Sequence, residues 1–335
     1  LDDFGNVNVH YGGVEMGQGL HSVLTLAVAE ALGVTPDQVF INQTDTATCP
    51  WDVGTHASRG SFVSCNAAIL AANELRARIF KEAEKIFPRE IARNLEKHRQ
   101  RHPDEKAPDF DFAGQSRADN FELRDGVISL KNAPAAPWAT IELGRLLRAI
   151  HFRRGGDVLA AQAFYDPPTD LPDWEKGYGN LSATYTFGTQ GVEVEVDTQT
   201  GVVKILNFVN ALDIGKALNP QTLKGQIYGG IAQGIGYALY EEIREQQGRI
   251  LNPGFTDYKI PTTGEMDFPI QLEFVETDDK FGPFGAKGVG EPALVPTAPA
   301  IANAIYDAVG VRIFDLPITP EKVLQALQQK RDARR

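Results

Sequence analysis

A single carboxylate, Glu291, lies near the end of the glycine-rich stretch GPFGAKGVGEP at residues 282–292. Because Pro292 disfavours the helical region for the residue before it, we expect Glu291 to project from extended backbone. The glycines before it permit a close approach of the backbone to a ligand. Such a carboxylate suits a general base beside a reacting centre, although an exposed loop acid is an equally good interpretation of the residue type.

Three further glycine-rich stretches are candidates for ligand binding: GGVEMGQG at 12–19, GTHASRGS at 54–61 and LKGQIYGG at 223–230. The helix predicted after the first stretch has an N-terminus that favours an anion. Each stretch alone also fits a turn or a tight packing point. Taken together with residues 282–292, they indicate a large polyanionic cofactor held by backbone amides.

Polar side chains in these stretches extend the same hypothesis. Ser58, Arg59 and Ser61 supply hydroxyl and guanidinium donors for a phosphate. Gln18 and Gln226 supply amides for a metal-bound oxygen or the edge of a heterocycle. The sequence contains no P-loop. It also contains no clean GxGxxG between a strand and a helix, and this absence disfavours an NAD-dependent oxidoreductase.

Local patterns predict the elements that carry these stretches. The alternation of apolar residues from Val7 predicts a strand, and LHSVLTLAVAEALG predicts a buried helix that ends at Gly33. Thr35 and Gln38 have the spacing of a capping box. An apolar stripe predicts a helix over residues 67–87.

The second half of the chain has equally clear signals. Strict alternation from Val192 to Val196, followed by Gly201, predicts an antiparallel hairpin. LKGQIYGGIAQGIGYALYEEI is predicted to be helical despite five glycines, which we expect to face a large packing partner. Thr319 and Pro320 predict the start of a last helix.

Composition and length limit the possible class of protein. The chain has 335 residues, a net charge of −11 and 42% hydrophobic residues, which favours a folded protein and argues against nucleic acid as its partner. Its two cysteines, Cys49 and Cys65, predict reduced thiols and a cytoplasmic location. No stretch reaches the length of a membrane span. The irregular, proline-rich segment 152–182 predicts a boundary between domains at 1–160 and 161–335.

Four motifs, in this order, resemble the xanthine oxidase family of molybdenum hydroxylases, in the C-terminal half of the molybdopterin-binding subunit. They are GGVEMGQGLHSV, GTHASRGSFVSCNAA, DIGKALNPQTLKGQIYGGIAQGIGYAL and GPFGAKGVGEPALVPTAPAIANAIYDAVG. The resemblance covers nearly the whole chain and is weakest at residues 88–118. It implies an α+β fold with two lobes of mixed or antiparallel sheet and packed helices.

The resemblance assigns roles by matching residues of these motifs. Glu291 matches the catalytic glutamate, a general base in the hydroxylation of an electron-poor aromatic or N-heteroaromatic carbon with oxygen derived from water. Gln18 matches the residue near the apical ligand of molybdenum, and the metal has no direct protein ligand because the pterin dithiolene holds it. The implied cofactor-binding residues are Gly17, Gln18, Gly19, Ala57, Ser58, Arg59, Gly60, Gln226, Lys287, Gly288 and Gly290.

The resemblance also implies cofactors and partners. We expect molybdenum with molybdopterin, in the cytosine dinucleotide form, and iron–sulfur clusters and FAD only on partner subunits. A second chain, equivalent to the N-terminal half, would complete the cofactor cleft, as in enzymes like nicotinate dehydrogenase. Leu1 is consistent with a fragment, a processed chain or one subunit of a larger assembly. Two alternatives stay open: a reductive dehydroxylase of the 4-hydroxybenzoyl-CoA reductase type, and a non-catalytic assembly subunit.

Overall fold

The protein, described here by a computed structural model over residues 1–153 and 156–333, divides into two compact units. The first unit takes residues 1–55 and 60–167, and the second takes residues 56–59 and 168–335. The short segment His56–Arg59 therefore belongs to the second unit, although the chain on both sides of it belongs to the first. The expected division into cofactor-binding lobes at 1–160 and 161–335 stays a prediction.

The first unit combines two small sheets with three helices. Strands β1 and β2 pair in parallel, and β3, β4 and β5 form an antiparallel sheet. The helices pack around a core that includes Leu24, Ile79, Phe87 and Phe121. In chain order the elements are β1 (Val7–Val9), α1 (Leu20–Leu32), β2 (Val39–Ile41), α2 (Gly60–Arg101), β3 (Phe121–Arg124), β4 (Val127–Leu130), β5 (Ile141–Glu142) and α3 (Leu143–Arg153).

The predicted capping signals of this unit are confirmed. Helix α1 ends at Gly33, which adopts the left-handed conformation that glycine tolerates best. Thr35 and Gln38 form the expected capping box at a short 3-10 helix. Helix α2 extends well beyond the predicted stripe and continues through Pro88, because Phe87 and Ile91 on either side of the proline are buried.

The second unit is built on one mixed sheet. β6 pairs with β7 as the predicted antiparallel hairpin, and β10 pairs with β7 in parallel. Sequence reasoning missed β10, although Ile270, Leu272 and Phe274 alternate with polar residues. In chain order the elements are β6 (Gly188–Val196), β7 (Val203–Asp213), α4 (Pro220–Ile235), β8 (Glu245–Gln246), β9 (Arg249–Ile250), β10 (Ile270–Val275), α5 (Thr297–Val309) and α6 (Pro320–Asp332).

The glycines of α4 fall into two groups with different surroundings. Gly230 and Gly234 lie against Ala293 and the side chain of Thr297, so glycine is required there for close packing. A Cβ atom on Gly225 or Gly229 would meet no atom within 4 Å. Gly230 and Gly234 therefore have the packing partner that was expected, and it lies within the same unit. Gly225 and Gly229 face open space.

Replacing glycine with alanine should change the free energy of unfolding in opposite directions at the two kinds of glycine position in α4. Gly234→Ala should lower the free energy of unfolding by about 1–3 kcal/mol, because the new methyl group overlaps the Thr297 side chain. Gly229→Ala should raise it by roughly 1 kcal/mol, because alanine is the better helix former and the space is open. Urea titration of both variants checks this. Two variants that are both more stable than the native chain would contradict the packing described for Gly234.

The two cysteines are both free thiols. Cys65 is buried within the first unit, and burial raises the pKa of its thiol to about 12, whereas Cys49 is half-buried. No described helix combines the length and the apolar composition needed to cross a bilayer.

Candidate functional site

Glu291 is held by Ser58, a residue 233 positions away in the chain. The Ser58 hydroxyl donates a hydrogen bond of 2.7 Å to Glu291 Oε2 and accepts one of 2.8 Å from the Glu291 backbone N–H. Both residues belong to the second unit. Among the described residues, Glu291 Oε1 has no hydrogen-bond partner, and the side chain is exposed. The carboxylate is thus fixed in orientation through one oxygen while the other stays accessible.

The backbone around this pair is unusual. Ala57 and Ser58 both have positive φ angles, of 52° and 53°, which residues with a side chain adopt rarely and at an energetic cost. Opposite them, Gly288 and Gly290 leave room for Ser58: a Cβ atom on Gly288 would overlap the Ser58 carbonyl oxygen, and one on Gly290 would lie 2.8 Å from Ser58 Oγ. Two glycines and two strained residues therefore permit this close contact.

The local backbone of Glu291 differs from the extended conformation expected before Pro292. Glu291 begins a short 3-10 helix, Glu291–Ala293, and its carbonyl accepts hydrogen bonds from the N–H groups of Leu294 and Val295. These bonds, together with the bond from its own N–H to Ser58, outweigh the local preference set by proline. The carboxylate is still presented at the end of the loop, but by a turn.

Lys287 has partners inside the second unit. Its ammonium lies 2.5 Å from Asp213 Oδ2 and 2.8 Å from the Tyr185 carbonyl oxygen. Sequence reasoning missed Asp213, whose only local signal is its place at the end of a predicted strand, in the motif DIGKALNP. The Lys287 ammonium is therefore bound by groups of the second unit, which leaves its backbone for the predicted contact with a cofactor.

The N-terminus of α1 already binds an anionic side chain of the protein itself, that of Glu15. Glu15 accepts hydrogen bonds from the N–H groups of Gly17 and Gly19 through Oε1, and from that of His21 through Oε2. Burial alone would raise the pKa of Glu15, but these three bonds outweigh it and lower the pKa. The expectation of a free anion site at this helix is thus corrected, because Glu15 occupies it. In the sequence, this interaction is indicated by the acidic residue Glu15, four positions before Gly19.

Gln18 lies in the same loop of the first unit. Its amide donates to the Val14 carbonyl at 2.7 Å and accepts from the Met16 N–H at 2.5 Å. The loop is therefore closed on itself, and a Cβ atom on the neighbouring Gly17 would meet no atom within 4 Å. The role expected for Gln18 near a metal stays a prediction.

Gln226 lies on α4 beside the open glycines Gly225 and Gly229. Its side chain is half-buried, and its amide makes no hydrogen bond to any described residue. Asn219 caps this helix by accepting from the N–H groups of Gln221 and Thr222, and Pro220 follows at the first helical position. α4 thus presents the amide of Gln226, which has no partner among the described residues, beside the open space left by Gly225 and Gly229.

The candidate residues are distributed over both units. Within the described chain, no group of three His, Cys, Asp or Glu side chains is arranged to hold a metal ion. The first unit contains Gly17, Gln18, Gly19 and Gly60, and the second contains Ala57, Ser58, Arg59, Gln226, Lys287, Gly288, Gly290 and Glu291. In the second unit the structure brings Ser58, Gly288, Gly290 and Glu291 into direct contact.

Comparison with known families matches residues 1–267 to the molybdopterin cofactor-binding domain. The chain is 32% identical to the putative xanthine dehydrogenase molybdenum-binding subunit XdhA of Escherichia coli (strain K12), over 97% of this chain and 38% of that protein. It is 33% identical to the 6-hydroxypseudooxynicotine dehydrogenase complex subunit gamma of Paenarthrobacter nicotinovorans, over 99% of this chain and 37% of that protein.

The same similarity extends to a solved structure. Quinoline 2-oxidoreductase from Pseudomonas putida 86 matches with a TM-score of 0.77 and 27% sequence identity. That match covers 98% of this chain and 37% of the other. The chain thus spans less than two fifths of the length of each of these three relatives, whose covered shares are 38%, 37% and 37%.

Proposed function

We propose, because this chain belongs to the molybdopterin cofactor-binding domain family, that it forms part of a molybdenum-dependent hydroxylase with Glu291 as its general base. The observation that carries the proposal is the pairing of Glu291 with Ser58, which leaves one carboxylate oxygen free. The proposed substrate is an electron-poor aromatic or N-heteroaromatic compound, hydroxylated at carbon with oxygen derived from water.

The residues present fit a flat cofactor with many hydrogen-bond acceptors. Gly225 and Gly229 leave open the space that a Cβ atom would fill, and the half-buried Gln226 amide beside them lacks a partner among the described residues. We assign Gln226, Ala57, Ser58, Arg59, Gly60, Gly288 and Gly290 to cofactor contact, with Gly17, Gln18 and Gly19 in the first unit and the backbone of Lys287. When bound, molybdopterin supplies a molybdenum centre that accepts two electrons from the substrate.

The role of the chain's own residues would then be the transfer of one proton. Glu291 Oε1 is the basic atom, and it takes the proton from the oxygen that attacks the substrate carbon. Ser58 holds Oε2, so the carboxylate keeps one orientation while Oε1 is protonated. The backbone hydrogen bond from Glu291 to Ser58 prevents the whole residue from turning away.

Further components complete the proposal. We infer the cytosine dinucleotide form of the cofactor and electron transfer through iron–sulfur and FAD groups held by partner subunits. The remainder of the cofactor cleft would come from sequence equivalent to the parts of the longer relatives that this chain does not match.

Metal and nucleotide analysis tests the proposal. The chain is purified with the proteins that bind it, molybdenum is measured by mass spectrometry, and acid-released nucleotide is identified by chromatography. About one molybdenum and one CMP per chain, together with dye reduction in the presence of N-heteroaromatic compounds, is the expected result. An intact complex without molybdenum would refute the hydroxylase and favour the assembly-subunit alternative.

A further inference from the structure

The loop that ends at Glu291 is attached to the sheet of the second unit through Lys287. Lys287 lies four residues before Glu291, and its ammonium is 2.5 Å from Asp213 Oδ2. The side chains of Lys287 and Asp213 are only 8% and 9% exposed. Asp213 is the last residue of β7, the central strand of the three-stranded sheet. The ion pair therefore joins the loop to a rigid element.

The Asp213 carboxylate has a full set of partners. Besides Lys287, it accepts hydrogen bonds from the Thr277 hydroxyl at 2.7 Å and from the Gly215 N–H at 3.1 Å. Burial would raise the pKa of Asp213, but the bonds from Lys287, Thr277 and Gly215 outweigh it and lower the pKa. The carboxylate thus stays ionised at neutral pH, and its contribution to stability is lost only as the pH falls below the ordinary carboxyl value of 3.8.

Backbone contacts place the loop at the same position. The Lys287 N–H donates to the Ile214 carbonyl at 3.0 Å, and the Gly288 carbonyl accepts from the Thr186 hydroxyl at 3.2 Å. Only Gly288, Val289 and Gly290 separate Lys287 from Glu291. Because two of these three residues are glycines, this short segment has little stiffness of its own, and its position depends on how its two ends are held.

A buried ion pair is an inefficient way to gain stability, since apolar residues of similar volume often stabilise a fold equally well. Its hydrogen bonds are directional, however, and define one position of the lysine. That property is useful where a loop carries a group that must be placed accurately.

We propose that Lys287 and Asp213 are positioning residues for Glu291, which act by holding the loop of residues 282–291 against the end of β7. This inference rests on the proposed function of Glu291. The Lys287 ammonium would then contribute to turnover through its bonds to Asp213 and the Tyr185 carbonyl, and only the backbone of Lys287 is assigned to cofactor contact.

Paired variants in the cofactor-loaded complex separate positioning from stability. Lys287→Met leaves the Asp213 charge buried without its partner, so the midpoint of thermal unfolding should fall. Asp213→Asn combined with Lys287→Met removes both charges and should recover most of that loss. Lys176→Met is the matched control, because Lys176 pairs with Asp173 at an exposed surface and is 68% exposed.

Hydrogen exchange and steady-state kinetics provide the readouts. In the double variant, amides of residues 286–291 should exchange at least tenfold faster than in the native chain. The kcat should fall by about 100-fold with KM within twofold, as expected for a misplaced catalytic group. The control variant should match the native chain in both measurements.

The outcomes distinguish this inference from the proposed function. A double variant with native exchange at residues 286–291 and native kcat would overturn the positioning role. A native complex that lacks molybdenum and turnover would refute the proposed function. Even then, hydrogen exchange at residues 286–291 that is equally fast in the double variant and the native chain would contradict the anchoring of the loop by this ion pair.

Discussion

Glu291→Gln should leave the complex folded and loaded with molybdenum but lower kcat by between about 10²-fold and 10⁴-fold. The amide has the size of the carboxylate, and its oxygen still accepts the hydrogen bond from Ser58. The backbone hydrogen bond to Ser58 Oγ is also retained. Only the ability of the side chain to take a proton is lost. Molybdenum content and steady-state kinetics on the same preparation measure the two effects separately.

The matched control is Glu195→Gln, which makes the same change in charge at an exposed position of β6. It should keep the native kcat. If Glu291→Gln retained near-native turnover with full molybdenum content, the general base would have to be another group. If the variant lost its molybdenum, Glu291 would be needed for cofactor binding, and its role as a base would stay untested by kinetics alone. A second variant, Glu291→Asp, resolves that case, because it keeps a carboxylate that can take a proton and should show part of the native kcat in preparations that retain molybdenum.

Gly288→Ala should lower the free energy of unfolding by about 1–3 kcal/mol and kcat by about 100-fold. The added methyl group would overlap the Ser58 carbonyl oxygen, which is a backbone atom and cannot rotate away. Either the loop or the segment His56–Arg59 has to move, and each movement separates Ser58 from Glu291. Urea titration and steady-state kinetics measure the two losses.

Gly191→Ala is the control for this prediction. Gly191 lies on β6 in the same unit, and a Cβ atom there would meet no atom within 4 Å. The variant should therefore keep the native stability within about 0.5 kcal/mol and the native kcat. Native behaviour of Gly288→Ala would mean that the contact between Gly288 and Ser58 is not needed for function.

Much of the fold was predictable because its signals are local. The ends of α1, the capping box at Thr35 and the start of α6 at Thr319 and Pro320 follow from residues within one turn of each helix. The hairpin of β6 and β7 follows from strict alternation around Gly201. The parallel pairing of β10 with β7 was missed, since nothing within a short strand specifies a partner more than sixty residues away, as in the pair Ile270 and Phe208.

The motifs were also sufficient to identify the family. Four glycine-rich stretches in a fixed order predicted the molybdopterin cofactor-binding domain, and the match over residues 1–267 confirms it. The residue types singled out in these stretches include Ser58, Gly288, Gly290 and Glu291, which the structure brings into contact. Residue chemistry and the resemblance therefore indicated residues that lie together in the structure, and their roles toward a cofactor stay predictions.

The sequence by itself thus determined the family, the strands β1, β6 and β7, the helices α1, α2, α4 and α6, and the identity of the candidate base. Only the tertiary structure decided which group holds each of these residues. Glu291 is held by Ser58 across 233 positions, Lys287 by Asp213 across 74, and the N-terminus of α1 by Glu15. The physical reason is that capping and periodicity depend on neighbouring residues, whereas hydrogen-bond partners distant in sequence are selected by packing of the whole unit.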